Sequence, residues 1–300
     1  MQLHTLDLHF LNTPQVIASY VLVGPNSVAL IETGPGSTLN NLLSGLRDLG
    51  IQPSDVRDVL VTHIHLDHAG TAGWWARQGA TVYVHPLGAP HLIDPSKLLA
   101  SAQRIYGDQM DYLWGEFLSA PADRVRAVND GDVLTAAGAE IHVVESTGHA
   151  RHHHAYRIGD IAFTGDSAGV RLPGANYLAV PAPPPEFDLE AWEATISRLG
   201  ALRLKTIYPT HYGAVDDPAD HFRRYAPLVR ECAEFVRARL DEGLNRDQIV
   251  ERCSAWHDER AEAAGVDAIM RERYNKVFNP EMGVDGIMRY WSKSGGRVVR

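Results

Sequence analysis

Residues 62 to 68 read Thr-His-Ile-His-Leu-Asp-His, and three imidazoles with a carboxylate in so short a span demand a site rather than a patch of core. Neutral histidine and ionised aspartate are costly to bury unless something coordinates or hydrogen-bonds them. Just upstream, after a turn at residues 53 to 58, the apolar run Val59-Leu60-Val61 predicts a buried strand. The motif therefore lies where a strand opens into a loop. In extended chain alternate side chains share a face, which lets His63 and His65 converge on one cation. Asp67 and His68, turning into the small residues Ala69 to Gly73, then reach a second. Two adjacent metal ions are the expectation.

The rest of the composition narrows the choices. Cys232 and Cys253 are the only cysteines and lie in separate helical patterns, so neither a disulfide framework nor a thiolate metal site is implied. Lys plus Arg number 28 against 37 Asp plus Glu, a net charge of −9, which disfavours nucleic acid as a partner. Nothing approaches the roughly 20 apolar residues of a membrane span, and the N-terminus lacks a basic, then apolar, leader; a cytoplasmic protein is expected. At 300 residues the chain has room for one large domain with an appendage.

Along the chain, residues 16–23 and 27–32 read as strands around a Gly24-Pro25-Asn26 turn, making a hairpin that opens the fold. Leu39, Leu42, Leu43, Leu46 and Leu49 fall at helical spacing and predict a helix packed on a sheet, ended by Gly50. Strands follow at 81–84 and 140–145, a hairpin at 154–158 and 161–164, a helix at 188–202 and a last strand at 206–208. Such alternation predicts an α/β layered fold. Residues 86 to 121 break the rhythm as an insertion with helical patterns through Leu98, Ala102, Ile105 and Tyr106, then Met110, Leu113, Trp114 and Phe117. Those aromatic positions read first as a packing face, and also as one wall of a pocket over the metals that favours a substrate with an apolar acyl portion. Beyond Pro218 the chain turns helical, with Asn245 and Gln248 as a capping box, so a boundary is placed near 216, dividing 1–215 from 216–300. Arg271, Arg273 and Lys276 read as a solvated helix face, and Ser292 to Arg300 as a disordered tail. A homodimer is left open.

Further candidates stand at predicted strand ends: Gly148-His149, Gly165-Asp166 and Thr210-His211, with His153 and Tyr212 nearby. Taken in order, T-H-x-H-x-D-H, T-G-H-x-x-x-H, T-G-D and a late T-H resemble the metallo-β-lactamase fold superfamily, in its glyoxalase II and lactonase-like branch, over roughly residues 1 to 215. The resemblance implies a four-layer αββα sandwich with a helical lid insertion, a C-terminal helical extension and the site at one sheet edge. It implies that His63, His65 and His149 hold one ion, that Asp67, His68 and His211 hold a second, and that Asp166 bridges them. One departure stands out: where the family carries Asp before Thr-Gly, this chain has Glu32 before Thr33-Gly34, and the longer side chain is expected to reach the same loop.

A pair of cations lowers the pKa of a bridging water from 15.7 to roughly 7 and polarises a carbonyl, so no side-chain nucleophile is needed. The expectation is a dinuclear hydrolase of a thioester, lactone or ester, with zinc, or else iron or manganese. Asp67 serves as proton carrier, and His153 or Tyr177 as donor to the oxyanion. The alternative is a mononuclear iron, persulfide dioxygenase-like oxidoreductase. A flavodiiron protein is disfavoured, because His65 stands where that branch carries Glu. The match of Gly165 to Gly169 to a G-x-S-x-G elbow fails in context, since Val170 to Gly174 cannot begin a regular helix. His85 and His91 read as polar loop surface.

Overall fold

The computed structural model describes residues 1 to 294. Its first element is a strand that the sequence pattern did not predict, β1 (Gln2–Asp7), only partly buried at the sheet edge and so lacking a strong apolar signature. It pairs antiparallel with β2 (Ala18–Val23), which forms the expected hairpin with β3 (Val28–Ile31). From β3 a crossover through α1 (Leu39–Asp48) reaches β4 (Val56–Leu60), parallel to β3. Leu42 and Leu46 of α1 bury against the sheet as their spacing requires. After β4 come two short helices, α2 (Leu66–Ala69) and α3 (Ala72–Arg77), then β5 (Thr81–Val84).

The insertion folds as three helices, α4 (Ala89–Ile93), α5 (Ser96–Tyr106) and α6 (Met110–Trp114), the last stopping before Phe117. It docks against the turn after β3: Ser37 Oγ donates to the Leu113 carbonyl at 2.6 Å. A Cβ at Gly36 would lie 2.2 Å from the Glu116 carbonyl oxygen, so this glycine serves close packing of the lid. β6 (Val125–Ala127) completes a six-stranded mixed sheet in the order β1-β2-β3-β4-β5-β6.

The second sheet is built from β7 (Val133–Ala136), β8 (Ala139–Glu145), β9 (His154–Ile158), β10 (Ile161–Phe163) and, after α7 (Leu189–Ala201), β11 (Thr206–Tyr208). Its order is β11-β10-β9-β8-β7, with β10 and β11 parallel and the other pairs antiparallel. Asp188 caps α7 by accepting the Ala191 N–H. Four helices follow: α8 (Pro218–Asp241), α9 (Arg246–Ala263) with the capping box Asn245/Gln248 in place, α10 (Ala268–Val277) and α11 (Pro280–Ser294). Ser292 to Ser294 are thus helical; the remainder of the expected disordered tail, 295–300, lies outside the described residues.

Three apolar clusters hold the layers together. Tyr20, Ile31 and Leu60 of the first sheet meet Ile141, Tyr156 and Phe163 of the second between the sheets. Leu42, Leu46 and Trp75 cover the outer face of the first sheet, and α7, α8, α9 and α11 cover that of the second. This is the αββα sandwich. Tyr274 and Phe278, at the end of α10, join the first outer cluster. The helices beyond 216 therefore reach across one rim of the sandwich, beside the carboxyl ends of β4 and β10. No helix among the described residues is long and apolar enough to cross a membrane.

Candidate metal centre

The chain leaves β4 at Leu60, and Thr62 and His63 are fully buried. His65 is the extended residue preceding α2, which places Asp67 and His68 in a helical turn rather than the loop anticipated. His149 follows β8 through Gly148, whose φ of +127° admits only glycine; a Cβ there would also lie 2.3 Å from Trp192. Asp166 sits in the 3-10 turn after β10 and His211 follows β11. Both sheets thus send their strand ends to one rim.

There the side chains converge. His65 Nδ1 lies 2.8 Å from His63 Nε2 and 2.9 Å from His149 Nε2. Asp166 turns Oδ2 to His149 Nε2 at 3.4 Å and Oδ1 to His68 Nε2 at 3.3 Å and His211 Nε2 at 3.4 Å. Asp67 Oδ2 lies 3.5 Å from His211 Nε2 and 3.7 Å from His68 Nε2. Three donor groups result: His63/His65/His149, His63/His68/Asp166 and Asp67/His68/His211.

The remote ring nitrogens explain why these faces are bare. His149 Nδ1 donates to the Pro181 carbonyl at 2.7 Å and His211 Nδ1 to the Val16 carbonyl at 3.1 Å. His68 Nδ1 donates to Glu32 at 3.1 Å, and His63 Nδ1 to Thr62 Oγ1 at 3.1 Å, whose own hydroxyl hydrogen-bonds Glu32. Each anchored Nδ1–H leaves Nε2 as the ligand atom, and at His68 a cation would displace the proton that the surrounding carboxylates hold there. His68 Nε2 and Asp166 Oδ1 are buried without any hydrogen-bond partner, and the His63 and His149 nitrogens crowd within 2.9 Å of His65 Nδ1, where lone pairs repel unless a cation lies among them. The donor set fits metal.

Burial, then the neighbouring imidazoles, hold His63 and His65 well below the usual histidine range; burial likewise lowers His149. At His68 burial acts downward, but Asp166, Asp67 and Glu32 outweigh it and the ring is held well above that range. Burial would raise Asp166, yet His68, His211 and His149 keep its carboxyl well below the carboxylate range.

Glu32 reaches where a shorter acid was the rule. Its buried carboxylate accepts from Thr62, His68 and, at 3.0 Å, Thr210 Oγ1, tying the ends of β3, β4 and β11 together behind the histidines. Two expected oxyanion donors do not face the site. His153 is fully buried and both ring nitrogens are engaged: Nε2 accepts the Asp166 N–H at 3.1 Å and Nδ1 bonds Ser146 Oγ at 2.8 Å, so it positions Asp166 from behind. Tyr177 hydrogen-bonds His257 Nδ1 at 2.9 Å in the helices beyond 216, away from the cavity. Tyr212 is also outside the cavity lining and packs in the core. Ser167 Oγ is buried and donates to the Thr164 carbonyl at 2.6 Å, and no helix follows it. His85 is buried, accepting the Leu87 N–H, while His91 lines the cavity. Local sequence cannot show which way these rings turn.

A cavity of about 610 Å³ opens onto Asp67, Asp166 and His211. The lid supplies Leu98, Ile105, Tyr106 and Trp114 to its wall, and the turn between α10 and α11 supplies Phe278 and Met282. Trp114 stacks on Phe10 at 5.7 Å and meets Tyr106 edge-on at 5.0 Å.

Fold and rim define an α/β sandwich with a His/Asp centre able to hold metal. Residues 12–211 match the family model of the metallo-beta-lactamase superfamily, and the chain belongs to that superfamily. It is 26% identical over 217 residues to the metallo-beta-lactamase fold-containing protein ST1585 of Sulfurisphaera tokodaii, covering 71% of this chain and 79% of that protein. It is 28% identical to the lactamase-like protein aptB of Emericella nidulans, over 75% of this chain but 60% of aptB. Among solved structures, the metallo-beta-lactamase family protein TTHA1429 of Thermus thermophilus superposes with a TM-score of 0.71 at 20% identity, covering 98% of this chain and 94% of the other.

Proposed function

We propose that this protein is a metal-dependent hydrolase of small carbonyl substrates, a thioester, lactone or ester, working with two divalent ions, zinc foremost and iron or manganese as alternatives. The observation that carries it is Asp166, whose two oxygens face different imidazole groups. His63, His65 and His149 would hold one ion, Asp67, His68 and His211 the other, and Asp166 both. Bound there, divalent ions supply a Lewis acid for the carbonyl and bring the acidity of water near neutrality.

The chain's own residues do the rest. Asp67 borders the cavity with its side chain 22% exposed, so it is the carboxylate placed to take a proton from water or pass one to a leaving group. Glu32 and His153 hold His68 and Asp166 in place, and the apolar lid limits water around the reacting groups. Elemental analysis of protein purified without added metal, followed by an ester, lactone and thioester panel before and after chelation, tests this. Two ions per chain and chelator-sensitive hydrolysis are expected. One ion per chain, that ion iron, without hydrolysis would replace the proposal with the persulfide dioxygenase-like alternative.

A further inference from the structure

The cavity wall carries two cations that nothing in the centre explains. The chain has only four lysines, Lys97, Lys205, Lys276 and Lys293. Two of them, Lys97 and Lys276, line this cavity, and no arginine does. Lys276, half-buried on the helix face its spacing predicted, also borders this cavity. Some cations elsewhere pair with acids, Lys205 with Asp160 at 2.6 Å and Arg246 with Asp285 at 2.6 Å. Among the described residues neither Lys97 nor Lys276 has a carboxylate within 4.0 Å or a hydrogen bond. Asp94, the acid nearest Lys97 in sequence, accepts the Ser96 N–H and feels the charge of Lys97 without pairing with it. Glu186, a wall carboxylate outside the donor cluster, is held by Arg151 and His152, each at 3.1 Å. Two ammonium groups without a carboxylate partner, the exposed Lys97 and the half-buried Lys276, border one cavity beside the apolar Leu98, Ala102 and Phe278, and in a chain of net charge −9 they can take an anion supplied from outside.

Helix α5 sets the distance. Lys97, Leu98, Ser101, Ala102, Ile105 and Tyr106 all border the cavity, so the cavity runs along the helix. Tyr106 lies at the other end of this face: its hydroxyl contacts Met282 Sδ at 3.8 Å, and its phenol is pushed up by burial and then by the charge of Asp67. Nine residues earlier, at 1.5 Å rise each, Lys97 lies about 13 Å away along the axis. Leu98, Ala102 and Ile105 fill the interval.

We propose that the substrate is an amphiphile whose carbonyl lies at the centre, whose apolar chain follows α5, and whose far end carries an anionic group held by Lys97 and Lys276. This rests on the hydrolase function proposed above. The test compares 4-nitrophenyl decanoate with the mono-4-nitrophenyl ester of decanedioic acid, which differs by a terminal carboxylate. The native protein should prefer the acidic ester in kcat/KM by roughly tenfold or more, as expected for a charge-assisted contact, and added salt should shrink the preference. In the double variant K97M/K276M, which keeps the apolar stems, the ratio should fall towards one, with the melting temperature reporting that the fold is intact. An equal preference in both proteins, or none in the native one, overturns the proposal. If neither ester is hydrolysed by metal-loaded protein, the hydrolase function fails separately, and calorimetric binding of decanoate to chelator-treated protein decides the anion site. Binding at least about tenfold weaker in the double variant upholds the site; equal binding removes it.

Discussion

Asp166 and Ser167 are adjacent in sequence and opposite in consequence. Asp166 sits among three imidazoles, whereas Ser167 Oγ points at the Thr164 carbonyl. Ser167→Ala removes one hydrogen bond, about 0.5 to 1.5 kcal/mol, and should lower turnover by no more than about tenfold. Asp166→Ala should abolish hydrolysis and lower the metal content of both groups of donors, read by elemental analysis. Activity that survives chelation and disappears in Ser167→Ala would make serine the nucleophile instead. Glu32 offers a subtler case. Glu32→Gln keeps the length but gives up the charge that faces His68, Thr62 and Thr210. Metal affinity should fall by about 10- to 100-fold, measured by chelator competition, with cavity binding of decanoate unaltered.

The lid is the element whose role the residues alone left between packing and recognition. Trp114 does both, stacking on Phe10 and bordering the cavity. Trp114→Ala should change KM among acyl chain lengths more than it changes metal content. A collapse of stability with selectivity preserved would assign the ring to packing alone. The loop after β10 is governed from farther away: Tyr177 is bonded to His257, and the Tyr274 hydroxyl accepts the Leu172 N–H and donates to the Tyr177 carbonyl. The helices beyond 216 thereby steady the segment that follows Asp166.

For the whole molecule, buried neutral histidines set an acid limit. Burial holds His257 down to about 3 and His221 down to about 4, against about 6.5 in the unfolded chain. Below pH 6.5 the unfolded chain takes up protons that the folded chain refuses, so stability is full above that pH and falls as pH drops through 6.5 towards 4. Each ring should cost about 2 kcal/mol between pH 7 and pH 5. Denaturant midpoints at the two pH values measure this, and His257→Gln should flatten the dependence while lowering stability at pH 7. An unchanged slope in that variant would place the acid limit elsewhere.

The donor set was legible in sequence because its chemistry is local: histidines and an aspartate packed into seven residues have few uses, and Gly-His, Gly-Asp and Thr-His steps at strand ends mark the remaining donors. The main strands and helices were legible for the same reason, periodicity being a property of neighbours. What lay beyond reach depended on distant segments. β1 owes its strand to pairing with β2, since its own pattern is weak. His153 and Tyr177 look as eligible as any polar residue near a site, yet their rings turn towards Ser146 and His257. Lys97 and Lys276 stand 179 positions apart, and only the packing of α5 beside the end of α10 sets both on one wall. Ligand type follows from side-chain chemistry, which the chain carries residue by residue; the direction a side chain faces, and what faces it, exist only once the layers have packed.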